Sequence, residues 1–194
     1  MAAVPVVVFS DFTCPFSYVT EAALRRLEGD GAARLAHHAF ELHPAPAPLP
    51  PPSTADVEAA RPLAEALGLP LRVPASTART RKAHEAARFA ETRGMGAAMR
   101  EAIFAAYFAE GRDVGRIDVL VELGAALGLD PSELKVVLDV DTFAGEVERG
   151  RAAARQLRID AVPALVVGEG ERARLLLGAY PVDELRAALA AAAV

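Results

Sequence analysis

The sequence predicts an α/β fold in which a βαβ segment and a ββα segment flank an all-helical insertion. Three observations predict it. A β-branched run, V-P-V-V-V-F-S at residues 4–10, opens the chain. The middle of the chain, about a hundred residues and so of domain size, carries helical punctuation and no strand pattern. Strand chemistry then returns near the end as two short apolar runs around a glycine-containing turn.

Residues 4–10 have no polar side chain before Ser10, the pattern of a strand buried on both faces. Pro15 suits the first turn of a helix, where its missing N–H costs nothing. Tyr18, Ala22, Ala23 and Leu27 give that helix one apolar face, and Gly29-Asp30-Gly31 ends it. The run R-L-A-H-H-A-F-E-L is compatible with a second strand; joined through a helix, the two strands should be parallel with a right-handed crossover. Residues 43–52, H-P-A-P-A-P-L-P-P-P, exclude helix and central strand and read as an extended linker. Helices are expected at 54–67, 78–93, 95–109, 117–127, 132–140 and 143–157. Gly94, Gly111 and Gly128 separate them, and Asp130 is placed to cap the helix that Pro131 begins. P-A-L-V-V at 163–167, the turn G-E-G-E-R and A-R-L-L-L at 173–177 form a hairpin. A helix over 181–193 closes the chain. Four strands with helices on both faces, split by a helical insertion, make a thioredoxin-like architecture. Its segments are 1–52, the helical insertion 53–157, and 158–194.

The chain has 194 residues, enough for one domain with an insertion and a sizeable core. Its net charge is −5 and its basic residues are scattered, which argues against nucleic acid as a partner. No apolar stretch approaches the ~20 residues needed to span a bilayer, so no membrane role is expected. The N-terminal run lacks a basic region and a cleavage site, which makes the cytoplasm the expected location. One cysteine excludes an intrachain disulfide and any zinc site built on several thiolates.

That cysteine, Cys14, lies in S-D-F-T-C-P-F-S-Y-V, where the first strand ends and the first helix begins. A thiol at a helix N-terminus faces unpaired N–H groups and the positive end of the helix dipole, and both favour thiolate. Ser17, three residues on, returns to the same face and can donate to the sulfur. Pro15, Phe16 and Tyr18 would line the surroundings of the thiol. The alternative is a buried, inert cysteine. A second element is Val162-Pro163, which the proposed fold brings opposite the start of the first helix. Propensity alone favours a trans bond there; a cis bond would present the Val162 backbone for pairing with a peptide or thiol ligand.

D-F-T-C-P-F-S-Y resembles the D-x-x-C-P-W-C-Y motif of the DsbA-like thioredoxin family, in particular its FrnE-type branch. The resemblance extends along nearly the whole chain. It includes F-E-L-H-P at 40–44, S-T-A-R-T-R-K-A at 76–83 with His84, A-Y-F-A-E-G-R-D at 106–113, V-P-A-L-V-V, and G-A-Y-P. It implies a thiol-disulfide oxidoreductase, with Cys14 as the nucleophile and Pro163 as the cis-proline. The family's resolving cysteine corresponds here to Ser17. A single thiol cannot form an internal disulfide, so the chemistry expected is exchange through mixed disulfides. C-P-F-S also resembles the serine motifs of kappa-class glutathione transferases and 2-hydroxychromene-2-carboxylate isomerases. The chain keeps Cys in their first position and has Gly178-Ala179-Tyr180-Pro181 where they carry an S-D-R-type segment. A glutathione-dependent isomerase or transferase is therefore the alternative, and a redox-silent binding module a third.

The expected catalytic residues are Cys14, Ser17 and Pro163, and the expected substrate contacts are Pro15, Phe16, Tyr18 and Val162. No cofactor is required, with glutathione as the candidate co-substrate. The expected partners are a small thiol or a protein disulfide, and a homodimer is the assembly to test. Asp11 is either a proton acceptor beneath the thiol or a brace for its loop. His84 is either a base or a packing residue, and Tyr107 and Phe108 are either insertion core or cleft walls. His37 and His38 fall on opposite faces of a strand and His43 in the linker, so no metal site is assigned.

Overall fold

The computed structural model describes residues 3–193. Strand β1 (Val4–Ser10) leads into helix α1 (Pro15–Gly29), which returns to strand β2 (Ala33–Ala39). Six helices follow: α2 (Thr54–Leu67), α3 (Arg81–Glu91), α4 (Gly96–Phe108), α5 (Ile117–Ala126), α6 (Pro131–Asp139) and α7 (Ala144–Gln156). Strands β3 (Ala164–Val167) and β4 (Arg174–Leu177) and helix α8 (Val182–Ala192) complete the chain. The sheet order is β2-β1-β3-β4, with β1 parallel to β2 and antiparallel to β3, and β3 antiparallel to β4. Central β1 therefore carries the βα turn that holds Cys14 in the middle of the sheet's edge.

Local chemistry accounts for the element ends. The Ser53 hydroxyl accepts from the Asp56 N–H at 3.1 Å and starts α2, which stops at Gly68 in the left-handed region, φ 69°. Asp130 caps α6 by accepting from the Glu133 N–H at 2.8 Å, with Pro131 in the first turn. Residues 43–52 form neither helix nor strand. They are tied down by Arg79, whose guanidinium donates to the carbonyls of His43 and Ala47. The Ala45–Pro46 bond is cis.

One helix starts later than its sequence suggests. Helix α3 begins at Arg81, not at residue 78, because the Thr80 hydroxyl leaves the helix end and donates to Asp11. A local cap is given up for a tertiary contact.

The helical segment shares a core with the sheet. Val6, Val8, Leu24 and Leu165 belong to the same buried cluster as Phe12, Phe89, Phe104 and Leu134. Helix α7 covers the other face of the sheet, where Phe9, Ala154, Ile159 and Ala164 form a small second cluster. Gly150 lets α7 approach β2 closely. A Cβ at that position would lie 2.5 Å from the Ala39 carbonyl oxygen and 2.9 Å from its nitrogen. Among the described residues no helix is long and apolar enough to cross a membrane.

Candidate active site

The loop between β1 and α1 is bound to its own helix. Cys14 is the N-cap residue of α1, with extended backbone angles, and its N–H donates to the Asp11 carbonyl at 3.2 Å. The Ser17 N–H donates to Cys14 Sγ at 3.4 Å, the geometry of a thiol taking the place of a capping hydroxyl. The Ser17 side chain is fully buried and its hydroxyl accepts from the Asp11 N–H at 3.4 Å. Ser17 thus closes the loop in two directions. Pro15 is buried in the first turn and Phe16 is half-buried beside it.

Across from this turn, the Cys14 thiol donates to the Val162 carbonyl at 3.4 Å. The Val162–Pro163 bond is cis, and β3 begins at the next residue. Two segments 148 residues apart in sequence therefore meet at one sulfur. Cys14, Ser17, Val162 and Pro163 form one constellation.

Tyr18 lies elsewhere. Its ring stacks on Phe104 and Phe108, with centroids 5.6 and 5.4 Å away, and it lines a cavity of about 200 Å³ between α1 and α4 that Cys14 does not reach. Phe108 is buried in this packing, and Tyr107 donates its hydroxyl to the Ser76 carbonyl at 3.1 Å. A larger cavity, about 490 Å³, runs beside β2 and is lined by His37, His38, His84 and Arg100 among others. His38 stacks on Phe9 while His37 meets Glu21 at 3.0 Å on the opposite face. No group of three His, Cys, Asp or Glu is placed to hold a metal among the described residues.

The electrostatics of the thiol differ from the sequence expectation. Cys14 is 6% exposed. Burial pushes its thiol above the ordinary 9.0, to about 11. Hydrogen bonds from Ser17 and the Phe16 N–H oppose that rise, and the nearby Asp11 charge adds to it. The helix N-terminus does favour thiolate, but desolvation wins. The expected low-pKa thiolate is thus corrected to a thiol that is protonated at rest.

Asp11 resolves as a brace. Its carboxylate is fully buried and accepts from the Thr13 N–H at 2.7 Å, the Thr13 hydroxyl at 2.5 Å, the Thr80 hydroxyl at 2.7 Å and the Leu42 N–H at 3.2 Å. Burial raises its pKa, and the contacts with His84, Thr13 and Thr80 outweigh that and bring it below the ordinary value. Sequence reasoning missed Thr80. It also missed a second buried cluster, in which Glu21 binds Arg100, His37 and the Ser10 hydroxyl.

The DSBA-like thioredoxin domain family matches residues 5–190. The chain belongs to that family. The uncharacterized protein YwbO of Bacillus subtilis (strain 168) is 30% identical over 172 residues, covering 84% of this chain and 86% of its own. The crystal structure of the probable DsbA oxidoreductase SCO1869 from Streptomyces coelicolor superposes with a TM-score of 0.84 at 29% identity, over 97% of this chain and 89% of that one. The cytosolic disulfide reductase DsbM from Pseudomonas aeruginosa, in a structure with GSH, gives a TM-score of 0.74 at 21% identity, over 96% and 97% of the two chains, and so shares the fold.

Proposed function

We propose that this DsbA-family chain carries out thiol-disulfide exchange through Cys14 alone, by way of mixed disulfides. The observation that carries the reading is the meeting of Cys14 Sγ with the Val162 carbonyl, immediately before Pro163. A nucleophilic sulfur at a helix start faces backbone that can hold an extended thiol or peptide ligand. Membership of the DSBA-like family supports it.

The chemistry follows from one thiol. Cys14 sulfur attacks one sulfur of a substrate disulfide; the Cys14–substrate S–S bond forms and the substrate's own S–S bond breaks. The leaving sulfur takes the proton that Cys14 gives up. With no second cysteine, the mixed disulfide is resolved by an external thiol such as glutathione. That thiol attacks the substrate's sulfur, forms the new disulfide and returns Cys14 as a thiol. Ser17 has no redox role in this scheme; it holds the sulfur and its loop.

The test is mass spectrometry of the folded chain after incubation with oxidised glutathione. The expected product is a single adduct, removed by a reducing thiol and lost in Cys14→Ser. Its rate of formation should climb with pH into the alkaline range, because the thiol titrates near 11. The absence of an adduct on folded protein at any pH would overturn the reading. Saturable binding of glutathione with no mixed disulfide would turn it to glutathione-dependent isomerisation or transfer.

A further inference from the structure

We propose that Thr80 and His84, contributed by the helical insertion, are positioning residues for the Cys14 thiol and act on it through Asp11. The inference rests on the proposed role of Cys14 and names what regulates that site.

The two oxygens of Asp11 face different parts of the molecule. Oδ1 is taken by Thr13, the residue next to Cys14, through both its N–H and its hydroxyl. Oδ2 is taken by the Leu42 N–H from the segment after β2 and by the Thr80 hydroxyl from the start of α3. One carboxylate therefore joins the thiol loop to the insertion. His84 completes the arrangement. Its Nε2 lies 3.6 Å from Asp11 Oδ2 and has no hydrogen-bond partner, although the side chain is only 2% exposed. A ring nitrogen so deeply buried and so oriented is explained by the carboxylate it faces. The ring is held there by Phe12, 4.8 Å away, which packs in turn on Phe104 at 4.8 Å.

Two consequences follow for the sulfur. Its position depends on Thr13, which Asp11 pins. The charge opposing its ionisation is that of Asp11, and the insertion offsets that charge with the Thr80 hydroxyl, which donates to it, and the His84 ring, 3.6 Å away. Other charged or titratable groups near Asp11 have partners of their own; Glu41, beside Leu42, pairs with Arg81 at 2.9 Å. Tyr107 on α4 feels the Asp11 charge and spends its hydroxyl on Ser76. Arg100 lies over the Phe12 ring at 5.2 Å but is bound to Glu21. Arg79, next to Thr80, is occupied by the carbonyls of His43 and Ala47. The first turn of α1 carries no acid.

The experiment is the pH profile of Cys14 alkylation by iodoacetamide in the full chain. It needs neither a disulfide nor glutathione, so its failure and the failure of the exchange reading are separate events. Asp11→Asn removes the opposing charge and should speed labelling about tenfold below the midpoint, equal to one pKa unit. Thr80→Val and His84→Phe keep size and packing but leave the carboxylate less offset; each should slow labelling about threefold, half a pKa unit. In an Asp11→Asn background the same two changes should have no further effect. Thr80→Ser restores the hydroxyl and should restore the wild-type profile. Slowing that persists with Asn at position 11 would overturn the proposal. If Asp11→Asn does not fold, the pair Thr80→Ser and Thr80→Val decides. Equal profiles overturn it; a wild-type profile for serine and a slowed one for valine support it.

Discussion

Two carboxylates ten residues apart, Asp11, which is fully buried, and Glu21, whose side chain is 10% exposed, each tie the βα unit to the helical insertion. Their partners differ in kind. Glu21 meets a guanidinium, Arg100, with the His37 ring and the Ser10 hydroxyl beside it. Asp11 is held by hydroxyls and backbone N–H groups, with one imidazole farther off. A carboxylate opposite a guanidinium has its field largely cancelled at short range. A carboxylate held by neutral donors keeps most of its field, and in a dry interior that field reaches its neighbours. Cys14 is such a neighbour. The first cluster is a clamp, and the second is a clamp that also sets the charge felt by the thiol.

The largest test of this contrast is Glu21→Gln. It leaves Arg100, whose side chain is only 9% exposed, without its counter-charge, and breaking one side of a buried pair typically costs about 3–5 kcal/mol. Denaturant unfolding should show that loss, while the Cys14 alkylation midpoint stays where it is. A large move of that midpoint would mean that the two clusters are one electrostatic unit. The pH dependence has a definite sign. Glu21 is raised by burial but brought well below its ordinary 4.5 by Arg100 and His37. Its stabilisation is therefore present above the unfolded carboxyl's pKa and is lost as pH falls through the folded value. Glu21→Gln should flatten that acid limb.

The next effect is at the alkaline end. Cys14 holds its proton to about 11 in the folded chain against an ordinary 9.0. Between those values the folded state binds more protons, so stability falls as pH rises across that window. The span corresponds to on the order of 2–3 kcal/mol. Tyr107, raised by burial to about 12, contributes to the same fall above its ordinary 10.0. Cys14→Ser should therefore remove only the earlier part of the alkaline slope. Slopes that coincide in wild type and Cys14→Ser would show that burial does not hold the thiol proton.

Which parts of this were legible in the sequence follows from the range of the forces involved. Element order was readable because each boundary has a local chemical cause: Pro15 in the first turn of α1, Gly128 after α5, Asp130 before α6. The capping position of Cys14 was readable for the same reason. Its titration was not, because desolvation depends on what the rest of the chain places around the sulfur. Nor was the start of α3, where helical periodicity says 78 and a hydrogen bond to a residue 69 positions away says Arg81. Glu21 shows the same limit. In sequence it is one acid on an amphipathic helix, and its partner Arg100 is 79 residues away. Tyr18 illustrates the same range: four residues from Cys14 in sequence, it stacks its ring on Phe104 and Phe108 of α4.

The smallest expected effect separates field from scaffold at the Asp11 end. Tyr107 lies close enough to feel the Asp11 charge, yet its hydroxyl donates to the Ser76 carbonyl in the segment that leads to Thr80. Tyr107→Phe deletes that hydrogen bond and leaves the ring, which meets Phe108 edge-on at 4.9 Å. A neutral hydrogen bond of this kind contributes about 0.5–1.5 kcal/mol, so unfolding should move by that amount. Cys14 alkylation should not move, since no charge is added or removed and the Thr80 and Thr13 contacts to Asp11 stay in place. If the variant shifts the alkylation midpoint as far as Thr80→Val, any loosening of the segment before α3 reaches the thiol. The Glu21 and Asp11 clusters would then differ in rigidity alone. A stability loss with an unmoved midpoint leaves the Asp11 carboxylate, and the donors that offset it, as the part of the insertion that the sulfur senses.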